Sequence, residues 1–175
     1  MLDVRSRAEP FAYTGGATLA AAAAGAQVTH VDASKGMVTW AKENAVSSGL
    51  GDAPIRWLVD DCVKFVEREI RRGNTYDAII MDPPSYGRGP KGEIWKIEDM
   101  IHPLIKLCTK ILSKDALFFL VNSYTTGLAP AVLTYMISTE LKPWNGHVDS
   151  QEIGLPVTDS GLVLPCGASG RWERD

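Results

Sequence analysis

Residues 55–82 read IRWLVDDCVKFVEREIRRGNTYDAIIMD, a pattern that predicts a strand, a helix and a second strand in turn. The helix is expected at 62–72, because Val63, Val66 and Ile70 share one helical face while charged side chains occupy the other. The two flanking runs are mostly apolar, as strands are when both faces of a sheet are covered. A strand, a helix and a strand at this spacing indicate parallel pairing with a right-handed crossover.

The same alternation extends on both sides of this stretch. Further strands and helices are expected in turn, the strands at 26–31 and 116–121 and the helices at 16–25, 34–48, 97–113 and 130–141. Near the end, strand-like runs at 147–157 and 161–170 flank the turn sequence Thr-Asp-Ser-Gly. We therefore predict an α/β fold, a Rossmann-like doubly wound sheet that is mostly parallel and has a C-terminal antiparallel hairpin. Residues 1–175 are expected to form a single domain.

The composition is that of a globular protein with a small acidic excess. Hydrophobic residues make up 45% and charged residues 22% of the chain, and its net charge is −3. A chain that held nucleic acid mainly through its overall field would be basic, so any nucleic-acid partner is expected to be read locally. No stretch has the pattern of a signal peptide or a membrane span, and we expect a cytoplasmic protein with no membrane partner.

The three cysteines, Cys62, Cys108 and Cys166, lie far apart in the sequence. No C-x-x-C pair and no histidine at ligand spacing accompanies them, which predicts a reducing compartment and no metal site. Cys166 lies in the predicted terminal hairpin, where we expect it to be buried among apolar side chains.

The sequence FAYTGGAT at residues 11–18 leads into an alanine-rich helix. Gly15 and Gly16 would let a ligand approach the backbone without a Cβ in the way, and a helix N-terminus favours negative charge. An ordinary turn with a helix N-cap explains the same two glycines. Their spacing differs from the G-x-G-x-x-G of pyrophosphate-binding loops, so this motif alone leaves both interpretations open.

Carboxylates follow the next two predicted strands. Asp32 can accept two hydrogen bonds from a ribose diol, or it can cap the helix that follows. Asp61 and the Cys62 amide suit the edge of an adenine, or they too belong to a helix cap. Each motif by itself fits both hypotheses.

The sequence DPPSY at residues 82–86 follows the predicted strand at 76–81. Two prolines fix φ and remove amide donors, so the Asp82 carboxylate and the Pro83 carbonyl are presented as acceptors on a stiff loop. Acceptors beside an aromatic ring suit a flat base whose exocyclic amine must be held and deprotonated. A plain Pro-Pro turn is the alternative, and the carboxylate with Tyr86 close behind favours the acceptor site.

Together these motifs resemble a known family. F-x-Y-T-G-G, V-D-A-S, V-D-D and D-P-P-S-Y-G-R-G-P-K-G-E are similar to class I S-adenosylmethionine-dependent methyltransferases, and most similar to the bacterial-type large-subunit ribosomal RNA methyltransferases. The ending L-V-L-P-C-G-A-S-G-R-W is similar as well, so the resemblance covers nearly the whole chain. It implies a seven-stranded sheet with the last strand antiparallel, S-adenosyl-L-methionine as cofactor and RNA as substrate.

The resemblance also implies roles for residues at matching positions. Cofactor contacts would come from Tyr13, Thr14, Gly15 and Gly16 for the methionine half, from Asp32 for the ribose hydroxyls with Ser34 beside it, and from Asp61 and Cys62 for the adenine. The methyl acceptor would be faced by the catalytic residues Asp82, Pro83, Pro84 and Tyr86.

The start of the chain departs from the family pattern. Relatives run an unbroken apolar strand into F-x-Y-T-G-G, whereas charged residues such as Arg7 and Glu9 surround that approach here. We therefore expect the first strand, near residues 1–13, to be incomplete. Relatives also carry an upstream segment that grips substrate, so this chain is expected to be an N-terminally shortened relative.

The acceptor atom is indicated by a second departure. Methylation at a pyrimidine C5 normally needs a thiolate, and relatives with that activity have a cysteine where this chain has Ser85 or the sequence Asn122-Ser123-Tyr124. We therefore predict methyl transfer to an N or O atom, with ribosomal RNA as the first candidate for the substrate and a small molecule or a protein as the alternative acceptor. The alternative is a degenerate domain that binds cofactor or a protein partner without turnover, as the altered first strand would suggest.

Overall fold

The computed structural model describes residues 6–89, 92–125 and 127–175. Two compact units make up this part of the chain. The first contains the described residues up to Met81 together with Leu107–Phe118, and the second contains Asp82–Lys106 and Phe119–Asp175. The single domain expected from the sequence stays a prediction. Within the described ranges, no helix is both long and apolar enough to cross a membrane.

Strands and helices alternate along the chain as the sequence predicts. In order, the elements are β1 (Ser6–Pro10), α1 (Gly16–Ala23), β2 (Gln27–Asp32), α2 (Lys35–Ser47), β3 (Ile55–Val59), α3 (Cys62–Arg72), β4 (Ala78–Met81), β5 (Tyr86–Arg88), β6 (Ile94–Lys96), α4 (Ile97–Thr109), β7 (Phe118–Ser123), α5 (Pro130–Leu141), β8 (His147–Pro156) and β9 (Val163–Glu173). The seven-stranded sheet has the order β3-β2-β1-β4-β7-β9-β8, and β5 pairs with β6 in a separate two-stranded ribbon. The first four strands of the order pair in parallel, whereas β8 and β9 are antiparallel. The predicted Rossmann-like sheet with its antiparallel hairpin is confirmed.

β1 is the strand whose sequence is least apolar. It lies between β2 and β4 and pairs with both in parallel. Its charged side chains have partners, because the Arg7 guanidinium lies 5.3 Å from the centroid of the Phe118 ring and Glu9 accepts a hydrogen bond from Thr18. β1 pairs with β2 from Ser6 to Pro10 and with β4 at Arg7 and Ala8. The expectation of an incomplete first strand near residues 1–13 stays a prediction, and residues 1–5 lie outside the described part of the chain.

α3 shows how the core of the first unit is built. It buries Phe65 and Val66 completely, and burial of an apolar side chain of this size contributes roughly 1.5–3 kcal/mol. The helix begins after Asp61, whose carboxylate accepts a hydrogen bond from the Lys64 N–H at 2.9 Å. It ends at Gly73, which adopts the left-handed conformation typical of a helix C-terminus. These two caps place the helix at the residues that the sequence predicts.

The second unit is organised around the hairpin of β8 and β9. α5 packs on both strands and buries Leu133 and Ile137 completely. A Cβ on Gly170 would lie 2.7 Å from Ile137 Cδ1 and 3.0 Å from Leu133 Cβ, so this close approach requires glycine. Beyond a register shift at Gly154 the two strands continue into a tip whose apolar side chains, Leu164 among them, are exposed.

Candidate functional site

The loop that joins β1 to α1 has an unusual backbone. Phe11 and Tyr13 adopt positive φ angles of 62° and 47°, and Gly15 adopts 88°. Gly15 is the N-cap of α1, and a Cβ at this position would lie 3.1 Å from side-chain atoms of Ala41 and Leu19. Glycine is needed here both for its backbone freedom and for its size.

Gly16 begins α1, and its surroundings differ from those of Gly15. A Cβ built on Gly16 would have no heavy atom within 4 Å, so open space lies beside it. The first N–H groups of a helix have no partner inside the helix and carry the positive end of its dipole. This end of α1 therefore has both the room and the polarity to receive a carboxylate.

Side chains of three other elements form hydrogen bonds with this loop, and the Ala12 N–H also donates to the Val31 carbonyl of β2 at 3.1 Å. Asp32 Oδ2 accepts from the Tyr13 N–H at 3.0 Å, and Cys62 Sγ accepts from the Phe11 N–H at 3.3 Å. The Asn44 side chain on α2 donates to the Thr14 carbonyl oxygen at 3.0 Å. Positive φ angles at non-glycine residues persist only where the surroundings fix them, and these bonds do so. The loop is thus set in one conformation by residues from β2, α2 and α3.

Asp32, the predicted ribose ligand, also contacts the start of α2. Its Oδ1 accepts from the Ser34 N–H at 2.8 Å, so each carboxylate oxygen has a backbone donor. The N-cap of α2 is Ser34, whose hydroxyl accepts from the Met37 N–H at 3.4 Å. A carboxylate has about four lone-pair sites, so Asp32 keeps capacity for further donors while it joins the two loops.

Asp61 and Cys62, predicted to contact adenine, begin α3. Asp61 is the exposed N-cap of this helix, so the cap interpretation holds for one of its oxygens. Cys62 is buried, and burial raises the pKa of its thiol, with smaller contributions from the charges of Asp32 and Asp61. A ligand would therefore meet the Cys62 backbone N–H, which has no partner within the helix, rather than the thiol.

A buried polar chain that sequence reasoning missed lies in the same unit. The Thr18 hydroxyl donates to the Glu9 carboxylate, and Thr18 Oγ1 lies 2.9 Å from His30 Nδ1. Because the hydroxyl has one hydrogen, His30 must donate from Nδ1, which leaves Nε2 as the acceptor nitrogen. Burial, with a contribution from the Lys42 charge, lowers the pKa of His30 to about 4, so the imidazole is neutral at physiological pH.

The predicted acceptor residues open the second unit. Asp82 is partly buried, and burial raises the pKa of its carboxyl to about 6. Pro83 is buried and Pro84 is exposed. The Trp95 indole N–H donates to the Pro84 carbonyl at 2.6 Å, which ties the segment to β6. The roles of the Asp82 carboxylate and the Pro83 carbonyl as acceptors stay predictions.

Hydroxyl groups and aromatic rings surround this segment. Ser85 Oγ lies 2.6 Å from Thr125 Oγ1, and Tyr86 is 51% exposed on β5. Tyr124, which sequence reasoning missed, is 55% exposed, and its pKa is raised by partial burial and by the charges of Asp82 and Cys166. Tyr124 is therefore within electrostatic range of Asp82. Its position directly after β7 is the feature of the sequence from which it could have been predicted as a site residue.

Cys166 corrects one expectation. The sequence predicts that it is buried, but the structure has it partly exposed, with Sγ donating to the Leu164 carbonyl at 3.2 Å. The reason is its position on β9, between the exposed tip of the hairpin and the root that α5 covers, where Ala168 is buried. Cys62 and Cys108 are buried.

The two units thus assemble different parts of the predicted site. In the first, hydrogen bonds join Tyr13, Asp32 and Ser34 and tie Cys62 to the same loop. In the second, the segment that begins at Asp82 is fixed by neighbouring side chains. The cofactor-binding and catalytic roles of these residues stay predictions. Over the ranges that the structure describes, no cluster of three His, Cys, Asp or Glu side chains could hold a metal ion.

Comparison with known sequences identifies relatives. The sequence model of the S-adenosylmethionine-dependent methyltransferase family matches residues 3–138. The ribosomal RNA large subunit methyltransferase K/L of Shewanella frigidimarina is 35% identical over 103 residues, which are 55% of this chain and 14% of that protein. The ribosomal RNA large subunit methyltransferase K of Neisseria meningitidis serogroup B is 30% identical over 115 residues, which are 65% of this chain and 32% of that protein.

Solved structures are similar over almost the whole chain. The S-adenosylmethionine-dependent methyltransferase from Agrobacterium tumefaciens has a TM-score of 0.92 and 40% identity, covering 100% of this chain and 57% of that one. SMU.776, solved as a complex with SAH, has a TM-score of 0.77 and 22% identity over 96% of this chain and 45% of that one, a likeness of fold alone. This chain spans less than two thirds of the length of each of these relatives. Its match to the family over residues 3–138 shows that the chain belongs to the S-adenosylmethionine-dependent methyltransferase family.

Proposed function

We propose that this chain is a cytoplasmic enzyme that transfers a methyl group from S-adenosylmethionine to an N or O atom of RNA, with ribosomal RNA as the first candidate. Membership of the family supports the cofactor and the reaction class. The curated relatives are named as ribosomal RNA methyltransferases, which supports RNA as the substrate. The observation that carries the proposal is the partly buried Asp82 carboxylate on a proline-stiffened segment.

Groups in the first unit fit the cofactor. The open space beside Gly16 and the N-terminus of α1 suit the carboxylate of its methionine end. The Asp32 carboxylate retains acceptor sites for the ribose hydroxyls. The exposed Asp61 and the Cys62 N–H suit the amine and a ring nitrogen of adenine. When bound, this cofactor supplies an electrophilic methyl group on a sulfonium.

Asp82 fits the task of orienting a nucleophile and taking its proton. Because burial raises its pKa to about 6, Asp82 is ionised at neutral pH yet is a stronger base than an exposed aspartate. One oxygen would accept the hydrogen of an exocyclic amine or a hydroxyl, and the Pro83 carbonyl would accept a second amine hydrogen. These contacts would orient the lone pair of the nucleophile toward the methyl group. The nucleophile would lose its proton to Asp82 as it accepts the methyl group. Positioning of this kind is the main contribution that the chain itself makes.

A cavity lies in the second unit. A cavity of about 260 Å³ is bounded by the loop after β7, including Thr125, by the start of α5, and by Glu152 and Gly167 of the hairpin. Thr125 also contacts Ser85 of the acceptor segment. This contact links the cavity to the acceptor segment, and we propose that the cavity receives part of the acceptor nucleotide.

The surroundings of the three thiols help to distinguish methylation at N or O from methylation at a pyrimidine C5. Methylation at a pyrimidine C5 position normally needs a thiolate that adds to the ring and so activates C5 toward the methyl group. Burial raises the pKa of the Cys108 thiol to about 12 and also raises that of Cys62, so neither is suited to this role. Cys166 is partly exposed near Tyr124, and its removal decides between the two chemistries. We expect Cys166→Ser to retain turnover, and a folded variant without activity would reopen C5 methylation.

The proposal is tested by methyl transfer from tritiated cofactor to total RNA, protein extract and small metabolites in parallel. We expect label in the RNA fraction that is lost on ribonuclease digestion, and much less label with Asp82→Asn. Calorimetry with S-adenosylmethionine accompanies the assay. Binding without transfer to any fraction would favour the cofactor-binding domain without turnover, and label confined to protein or metabolites would overturn RNA as the substrate.

A further inference from the structure

The β5–β6 ribbon has two faces of different character. In its antiparallel register Tyr86 lies opposite Lys96 and Arg88 lies opposite Ile94. Opposed residues, and residues two apart on a strand, point to the same side, so these four side chains share one face. All four are exposed. We call the face formed by Tyr86, Arg88, Ile94 and Lys96 the outer face of the ribbon.

The inner face fixes the ribbon to the acceptor segment. Gly87 and Trp95 form this face, and a Cβ on Gly87 would lie 3.7 Å from Trp95 Cβ. The Trp95 indole donates to the Pro84 carbonyl at 2.6 Å, and the Ile97 N–H donates to the Ser85 carbonyl at 3.1 Å. The outer face is thus held at a set position beside the segment that contains Asp82.

The outer face combines two cations with an aromatic ring. Arg88 Nε donates to the Tyr86 hydroxyl at 3.0 Å, which holds the guanidinium beside the ring. Its two terminal nitrogens then suit the two oxygens of a phosphate. Lys96 lies diagonally across the ribbon from Arg88, and residues in such a pair are about 7–8 Å apart, so Lys96 is within reach of a neighbouring phosphate. The Tyr86 ring offers a surface on which a base can stack.

We propose that this outer face binds the sugar-phosphate backbone of single-stranded RNA next to the acceptor nucleotide, an inference that rests on the proposed function. Charge complementarity supports this occupant, because a chain of net charge −3 must offer RNA a local cationic surface. An acidic protein surface would pair with the cations but would leave the exposed ring without a stacking partner. Cations and an aromatic ring on one face are the combination that single-stranded nucleic acid uses.

The test measures binding of a fluorescein-labelled, mixed-sequence, single-stranded RNA by fluorescence anisotropy over a series of salt concentrations. The variant is Arg88→Ala/Lys96→Ala, and the charge-matched control is Lys110→Ala/Lys142→Ala, which removes two exposed lysines elsewhere. Each phosphate contact on a single strand contributes about 0.7 to the slope of log Kd against log salt concentration, so the double variant should lose about 1.4. The control should keep the slope of the parent chain.

Calorimetry with S-adenosylmethionine separates this inference from the proposed function. Unchanged cofactor affinity together with the reduced slope supports the outer face as an RNA surface. A double variant with the parent slope would overturn the inference, even if the parent methylates RNA. Loss of self-association on gel filtration with RNA binding intact would also overturn it, because the face would then be a protein interface. If the parent chain transfers no methyl group to RNA, the proposed function is wrong. The change in the slope of log Kd against log salt concentration still shows whether the outer face binds RNA.

Discussion

Among single residues, Asp82 is the one whose chemistry depends most on its surroundings. Its pKa of about 6 means that the carboxylate required for proton removal is lost as the pH falls through that value. We expect the methyl-transfer rate of the parent chain to decline below about pH 6, and Asp82→Asn to lower the rate by about 10²-fold or more across the range. Cofactor affinity should stay within about threefold, because the group acts on the nucleophile. A rate that is independent of pH, or an active Asp82→Asn enzyme, would remove Asp82 from the mechanism.

Asp32 links two loops of the first unit, and its loss should mainly reduce the affinity for the cofactor. Asp32→Ala removes acceptors for the Tyr13 and Ser34 amides and for the proposed ribose, so we expect binding of S-adenosylmethionine to weaken by about 2 kcal/mol. Asp52→Ala serves as the charge-matched control, because it removes an exposed carboxylate from the turn before β3 and should leave cofactor affinity unchanged. Circular dichroism verifies folding and calorimetry measures affinity. Equal affinity in a folded Asp32→Ala variant would assign Asp32 a structural role only.

At the scale of elements, two neighbouring glycines at the start of α1 should respond to alanine substitution with opposite changes in stability. Gly15→Ala would force a Cβ onto a residue at φ 88° and within 3.1 Å of Ala41 and Leu19, so we expect a loss of about 1–2 kcal/mol of stability. Gly16→Ala adds helix propensity in open space, so stability should rise by up to about 1 kcal/mol. Its methyl group would occupy the space proposed for the cofactor, and affinity for S-adenosylmethionine should fall. Urea unfolding and calorimetry measure the two effects, and a Gly16→Ala chain with full affinity would contradict the proposed binding mode.

The sequence predicts those elements whose pattern is local. α3 lies at its predicted residues because its apolar spacing, its N-cap Asp61 and its C-terminal Gly73 all act within the helix itself. β1 could not be predicted in this way, since Arg7 and Glu9 are accommodated by partners on other elements. β5 and β6 have three residues each, too few for a periodic pattern, and they are defined by their pairing with each other.

The same distinction between local patterns and contacts with other elements applies to the candidate site. Asp32 and the glycines could be found because a carboxylate after a strand and two glycines before a helix are visible in the sequence. Asn44 could not, since its contact with Thr14 joins residues thirty apart and depends on how α2 packs. Tyr124 was missed for the same reason, because its relation to Asp82 depends on how the chain folds back.

Over the whole molecule, charge and burial act on different parts of the chemistry. The net charge of −3 gives RNA no general attraction, so the proposed recognition depends on a few cations such as Arg88 and Lys96. The interior contains polar groups that are held neutral or paired, of which His30 is the clearest example. Solution conditions that change the charge of such a group act on the folding equilibrium of the molecule.

The pH dependence of unfolding should therefore report on His30. Its pKa is about 4 in the folded chain and 6.5 when exposed, so between these values the unfolded state binds a proton that the folded state does not. Stability should fall as the pH decreases from about 6.5 to about 4, by roughly 3 kcal/mol from this residue. The raised pKa of Asp82 increases stability as the pH falls over part of this range, but this contribution is the same in the parent chain and in a His30 variant.

The variant His30→Gln keeps a donor for Thr18 and does not titrate. Urea unfolding at several pH values should therefore give a flatter curve of stability against pH for this variant than for the parent chain. Parallel curves for the two proteins would mean that His30 has the same pKa in the folded and the unfolded chain, because Glu9, through Thr18, offsets the effect of burial.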